Sequence, residues 1–225
     1  MPQLGTAALA MWWDIAPAIR AEFEDWHSHE HFPERLGIPG FLRGSRWASV
    51  SGGERFFVMY ELESYDTLTS PAYVARLNAP SQWSAKLFPH HRNMVRSQCR
   101  VLISHGSALA GFMLTVRISP TGEQSAATLH TLERLLPRLP MTPGLTGGHL
   151  LKTETPELPP TAEQKIRGGK DVTADWIVLV SGYDAATLES LSQRDLTAAN
   201  LGVDAAEYDL VRLAFAATPR DISTQ

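Results

Sequence analysis

The 225-residue chain has a single cysteine, Cys99, so no disulfide can form within it. Cys99 sits between Gln98 and Arg100 in a strand-like run, with no basic helix start before it. It therefore reads as a half-buried small side chain in a reducing compartment rather than as a reactive thiol. A basic cluster is missing too. The 20 Lys and Arg are scattered among 24 Asp and Glu, giving a formal charge of −4, which argues against nucleic acids and anionic membranes as partners. Long apolar runs are also lacking. Leu4 to Trp13 is too short to span a bilayer and has no basic start. It reads as a buried first strand, and the protein as cytoplasmic. What the chain does have is ordinary core material, 44% apolar and 20% charged.

Internal similarity organises the chain. Ile38-Pro39-Gly40-Phe41 matches Thr142-Pro143-Gly144-Leu145, and Pro33 matches Pro137 at the same offset of 104. Further on, Tyr65-Asp66-Thr67-Leu68 resembles Tyr183-Asp184-Ala185-Ala186-Thr187-Leu188, with Thr67 and Thr187 offset by 120. Most of the extra length falls in 154–170, which is rich in Pro and Gly and has no apolar period. It is expected to be an inserted loop of the second copy.

Each copy reads as strand-helix-strand-strand-helix-strand. In the first, the apolar run up to Trp13 is a strand. Asp14 is placed to cap a helix whose stripe is Ile15, Ile19, Phe23 and Trp26 and which Phe32-Pro33 ends. Strands over 40–50 and 55–62 meet at the turn Ser51-Gly52-Gly53-Glu54, and a helix broken at Pro71 and Pro80 leads to a strand over 93–104. The second copy repeats this order. The expected fold is α+β: two tandem ferredoxin-like units, 1–105 and 106–225, packed sheet to sheet as an intrachain barrel, because each sheet has helices on one face only and the other needs a cover. A monomer or a homodimer is compatible with this.

Histidines concentrate in the first unit, above all in Trp26-His27-Ser28-His29-Glu30-His31-Phe32-Pro33. His27 and His31, four apart, share a helix face, and His29 points roughly 200° away. Metal binding, acid–base work and a solvated helix end are all open to such a cluster. Against a metal, there is no His-Glu-x-x-His order and no cysteine pair. For acid–base work, histidine moves protons near neutral pH without a cofactor. On the next strand Arg43 and Trp47 share a face with Phe41 and Ser45, opposite Arg46. Either arginine, together with Tyr60 and Trp83, is a candidate to line a pocket. His90 and His91 follow Pro89 in a loop and are weaker candidates.

Phe23-x7-His31-x-Pro33, followed by Ile38-Pro39-Gly40-Phe41, resembles the EthD family of the dimeric α+β barrel superfamily over about Trp13 to Trp47. The resemblance implies a small-molecule pocket between sheet and helices, with the family's histidine, matched only by His31, as proton shuttle. The second unit has Leu135 and Arg134 at the positions of His31 and Glu30, which implies one competent site per chain.

The expected function is therefore a small-molecule enzyme of lyase, isomerase or oxygenase type, acting on a small apolar or aromatic metabolite without a cofactor or metal. His31 would shuttle the proton, His27 or Glu30 would orient it, and Arg43, Trp47, Tyr60 and Trp83 would bind substrate. The alternative is a non-catalytic ligand-binding or assembly protein that keeps the barrel. Haem binding would need His130 or His149, and neither lies in a convincing motif.

Overall fold

The computed structural model describes residues 2–156, 159–168 and 172–222. Eight strands form one closed antiparallel barrel: β1 (Ala7–Asp14), β2 (Phe41–Ser49), β3 (Arg55–Leu62), β4 (Arg92–Gly106), β5 (Phe112–Ile118), β6 (Leu145–Thr153), β7 (Trp176–Gly182) and β8 (Ala206–Ala217). Around the barrel they run β1-β3-β2-β8-β5-β7-β6-β4. That circuit is two ferredoxin-like sheets, β4-β1-β3-β2 and β8-β5-β7-β6, joined along two seams. At one seam β2 pairs with β8. At the other, the long β4 pairs with β1 through Arg92–Arg100 and with β6 through Cys99–Gly106.

Both faces of each sheet are buried, so the strands carry apolar residues in both registers. In β1, Ala8, Ala10 and Trp12 point into the barrel, where Phe57, Met59 and Cys99 also pack. Leu9, Met11 and Trp13 point outward beneath the helices of the first half, with Phe56, Val58 and Tyr60 of β3. A separate aliphatic cluster fills the same layer of the second half.

The repeat appears in the turn geometry. Gly40 and Gly144 have φ of +90° and +91°. A Cβ on either would meet a threonine hydroxyl, Thr67 Oγ1 at 2.5 Å in the first copy and Thr187 Oγ1 at 2.7 Å in the second. Only glycine supplies both the positive φ and the close approach.

Three local expectations are corrected. Asp14 does not cap a helix. It ends β1, and its carboxylate accepts from Arg55 Nε at 2.5 Å and Asn93 Nδ2 at 2.7 Å. The first helix does not stop at Phe32-Pro33. Arg20–Trp26 passes into a π-helical turn, His27–His31, and continues as Phe32–Leu36. The Phe32 N–H donates to His27 O, five residues back, and this wider turn accommodates a proline that would crowd a regular helix. Finally, the inserted stretch 154–170 is not all loop, although 157, 158, 169 and 170 lie outside the described residues. Ala162–Arg167 is a helix, capped reciprocally by Thr161 and Gln164 and closed by Gly168 at φ +94°. Six residues are too few to show an apolar period, and tertiary contacts described below hold this helix in place.

Candidate functional site

The outward face of β1 and β3 and the helices over it enclose a cavity of about 40 Å³, room for a few water molecules. Its walls are mainly aromatic: Trp13, Trp26, Tyr73 and Phe88. The π-turn delivers His27 and His31 to it, with stacked rings 5.4 Å apart, and His31 stacks on Trp26 at 4.6 Å. His91 completes the group, 4.9 Å from the Trp13 ring.

The three imidazoles are neutral. Burial, then the guanidinium of Arg46, holds His27 well below the ordinary histidine range. Burial, then Arg35, does the same to His31. His91 is pushed down to about 3, by burial first and then Arg167. Hydrogen bonds fix two tautomers. His91 Nδ1 faces the carbonyls of Leu87 and Phe88, at 3.1 and 3.3 Å, so it carries the proton and Nε2 holds the lone pair. His27 Nδ1 accepts from Arg46 Nη1 at 3.4 Å, so its proton is on Nε2.

Among the side chains lining this space, the buried polar atoms without a hydrogen-bond partner include Trp13 Nε1, His31 Nδ1, Tyr60 Oη and Arg35 Nη1. His31 Nδ1 is 3.6 Å from a carboxylate oxygen of Glu34, which Arg76 holds at 2.8 Å. Burial raises the Glu34 carboxyl above its usual value and pushes the Tyr60 hydroxyl up as well. Arg35 donates from Nη2 to Glu163, which also lies 3.7 Å from Arg167. Burial alone would pull the Arg35 guanidinium down, but Glu163, Tyr73 and Tyr60 outweigh it and the value is raised. Glu163 and Arg167 belong to the helix inserted in the second half, and Ile166 between them packs on the first half's core. That helix closes the cavity.

The structure brings together His27, His31 and Tyr60 and places the other expected residues elsewhere. Glu30 turns away from the cavity and accepts from Trp26 Nε1 at 3.1 Å and Ser81 Oγ at 2.5 Å. Glu34 is the carboxylate beside His31. Arg43 and Trp47 lie inside the barrel. A register shift between Phe41 and Arg43 separates their faces, sending Phe41 to the helix side. Arg43 then forms a buried bidentate pair with Glu61, at 2.6 and 2.8 Å. Trp47 donates to Ser45 Oγ at 3.0 Å. Trp83 packs on the rim of the core and donates to Glu22 at 3.2 Å. His91, a weaker candidate from the sequence, lines the cavity, and Arg35, Tyr73, Glu163 and Arg167 are among the lining residues that spacing alone does not reveal. Among the described residues, no group of three His, Cys, Asp or Glu is arranged to hold a metal ion.

The chain matches no protein-family model and no curated protein in sequence. In structure, it resembles a candidate monooxygenase of Fusobacterium nucleatum subsp. nucleatum, 7% identical, with 95% of each chain covered and a TM-score of 0.64. It also resembles an anthrone oxidase-like protein, 9% identical over 95% of this chain and 93% of the other, with a TM-score of 0.62. A heme-degrading enzyme of Listeria monocytogenes is 10% identical over 92% and 99%, with a TM-score of 0.50. The fold is that of the dimeric α+β barrel proteins. At these identities the likeness is one of fold. A haem, the molecule named in the last comparison, does not fit the histidines of the second half. His149 Nδ1 accepts from Ser104 Oγ at 2.8 Å and its Nε2 donates to Ser107 O at 3.2 Å, while His130 is exposed on its helix. Among the described residues, no helix is long and apolar enough to cross a membrane.

Proposed function

We propose that this protein is a small-molecule enzyme that removes a proton from a flat, enolisable or phenolic ring compound, without an organic cofactor, in lyase, isomerase or oxygenase chemistry. The observation that carries the reading is that the stacked histidine pair and two side chains with unpartnered buried donors, Tyr60 (Oη) and Arg35 (Nη1), line one aromatic-walled cavity. Leaving such groups unpaired costs about 1–3 kcal/mol each, a cost that a ligand supplying their partners would remove.

In this reading His31 is the base. Its Nδ1–H faces Glu34, and Nε2 takes the proton from carbon or from a phenol. A buried imidazolium alone is unfavourable, but here it forms beside an enolate, so charge appears as a pair rather than singly. Tyr60 Oη and Arg35 Nη1 donate to the enolate oxygen, the two-donor arrangement that stabilises developing negative charge. His27 packs against His31 and keeps its ring in place, and Arg46 in turn holds His27. Return of the proton to a second carbon gives an isomer, and loss of a β-substituent gives a lyase product. Reaction of the carbanion with dioxygen gives an oxygenated one. The monooxygenase and oxidase names among the structural neighbours favour the last outcome, and the EthD-like segment around His31 favours a histidine shuttle.

The first half-reaction can be tested without knowing the product. Full-length protein in D₂O should speed the exchange of the acidic C–H of ring ketones such as anthrone, followed by proton NMR. His31→Ala should slow exchange at least about a hundredfold, and Tyr60→Phe about a hundredfold. Both should melt within a few degrees of the parent, and the exposed His29→Ala should exchange at the parental rate. Full exchange in His31→Ala would overturn the assignment. Ring binding with no exchange in any variant would make this a binding protein.

A further inference from the structure

A nucleophile, a base and a group that orients the base meet in the second half, where β4 and β6 pair. His149 is fully buried on β6. Its side chain is on the interior face, since Leu150 beside it packs on the helix side and Leu151 points into the barrel. Directly across the ladder on β4 stands Ser104, which is exposed. Ser104 Oγ is 2.8 Å from His149 Nδ1, and His149 Nε2 is 3.2 Å from Ser107 O. A carbonyl only accepts, so the ring proton is on Nε2 and Nδ1 keeps its lone pair. Ser104 therefore donates its hydroxyl proton to the imidazole. Burial pushes His149 down to about 4, so the ring is neutral at pH 7 and free to take that proton.

The turn after β4 is built to put the carbonyl there. β4 ends at Gly106, at φ +74°, and the chain folds back so that the Ser107 N–H donates to Thr146 O at 2.7 Å. A Cβ on Gly147 would lie 2.0 Å from Ser107 O, and one on Gly106 would lie 2.3 Å from Thr146 O. Glycine at both positions lets the turn close onto β6 and brings Ser107 O to the imidazole. Ser181 Oγ of β7 also donates to Ser107 O, and Thr146 Oγ1 is 2.9 Å from Ser181 Oγ. The carbonyl that fixes the His149 tautomer is thus itself held from a third strand. The lone pair on the other side of the ring is turned to a hydroxyl that solvent reaches.

We propose that Ser104 is a second reactive centre of this protein: a nucleophilic serine, activated by His149 and oriented through the Ser107 carbonyl, that takes the acyl group of a small activated ester. Ser104 Oγ attacks the ester carbonyl carbon as its proton passes to His149 Nδ1. The bond from that carbon to the leaving oxygen breaks, the alcohol departs with the proton, and an acyl-Ser104 ester remains. Water that gives a proton to the same Nδ1 then hydrolyses the ester and restores the hydroxyl. The imidazolium forms with its Nε2–H on the Ser107 carbonyl, a charge-assisted bond stronger than the neutral one. Ser104 is exposed, so little binding energy is available to activate a substrate there. The leaving group must already be a good one, as in a phenyl ester and not in an amide.

A fluorophosphonate tests this, because it labels a hydroxyl that a base activates and spares ordinary serines. Fluoride leaves with the serine proton. Full-length protein should take up a phosphonyl group that peptide mass spectrometry maps to Ser104, and p-nitrophenyl acetate should leave an acetyl group on the same residue. Ser104→Ala, at an exposed position whose change the fold should tolerate, should lose both labels and keep ring-ketone exchange at the parental rate. His149→Gln, folded as judged by near-UV circular dichroism, should label at least about a hundredfold more slowly. His105→Ala, exposed beside Ser104, should label as fast as the parent. An unlabelled parent, a label on another residue, or parental labelling in folded His149→Gln would each overturn the proposal. Loss of labelling in His105→Ala would do the same by making the exposed imidazole the base. Phosphonylation of Ser104 without acetylation would overturn the ester assignment.

Discussion

Lowering the pH from 7 to 5 should destabilise this protein markedly, and the amount can be worked from its buried histidines. An unfolded histidine titrates near 6.5, so the unfolded chain takes up about 0.7 of a proton per histidine over this interval. In the folded protein His91 is pushed down to about 3 and His149 to about 4, both by burial first, so neither takes up a proton above pH 5. The unfolded state then binds more protons, and stability falls as pH falls. The contribution is fully present above 6.5 and is lost on the way down. Integrating from 7 to 5 gives about 2 kcal/mol for each, about 4 kcal/mol for the two. His27 and His31, held well below their ordinary value, add with the same sign. Glu34 and Glu61, whose carboxyls burial raises, work the other way, because the folded state binds their protons first. For a chain of this size about 4 kcal/mol corresponds to a melting temperature lower by roughly 8–16 °C. Scanning calorimetry at the two pH values measures it. His91→Gln and His149→Gln should each reduce the pH dependence by about half of that, whatever they do to stability at pH 7. A melting temperature unchanged between pH 7 and 5, or variants with the parental slope, would refute the argument that these imidazoles are buried and neutral.

Two further perturbations address the architecture of the site. Glu163→Gln removes the carboxylate that Arg35 and Arg167 share and should cost up to about 3–5 kcal/mol. Because Ala162–Arg167 can lift and hydrate both arginines, the observed loss should be smaller and should appear as faster amide exchange confined to 161–168 and the facing 71–78 helix. Protection unchanged there would refute the view that this pair holds the helix down. Gly44→Ala would place a Cβ 2.2 Å from the Phe32 ring and 3.0 Å from Tyr60, and should cost about 1–3 kcal/mol through displaced aromatics. A variant as stable as the parent in urea titration would show that the Phe32 ring has room to move.

Much of the frame was legible because it rests on local geometry. The paired Pro-Gly turns could be matched by counting, since a positive φ beside a threonine leaves no choice of residue at Gly40 or Gly144. The pairing of His27 with His31 followed from helical spacing and survived the unexpected π-turn. Spacing could also have found Glu34, which stands three residues past His31 on the same side, while Glu30, the adjacent residue, necessarily turns away. Arg43 was misplaced because alternation counts faces correctly only up to the first bulge, and nothing in Phe41-Leu42-Arg43 marks one. Arg35 and Glu163 are 128 residues apart, so their contact becomes visible only when the barrel closes.

That closure also bears on why the histidine-lined cavity lies in the first half. The inserted segment leaves β6 beside β4, where the Glu154 N–H donates to Gln98 O, and returns through Val172, which bridges Val95 in parallel. It is therefore laid against β4 and over the helices of the first half. The matching connection in the first half, between β2 and β3, is only the short stretch Val50–Glu54, which is far too short to reach across the β2–β8 seam and cover anything. The second half responds as a layer without a lid must. Leu135 stands where the first half has His31 and packs against an aliphatic cluster that includes Leu132, Leu136 and Leu139. A buried polar group there would have neither a guanidinium nor a ligand to pair with, so apolar filling is the stable solution. The asymmetry of the histidines and the asymmetry of the two connections are then one fact. The half that acquired a cover could keep unpartnered polar groups beneath it, and the half that did not filled its layer with leucine.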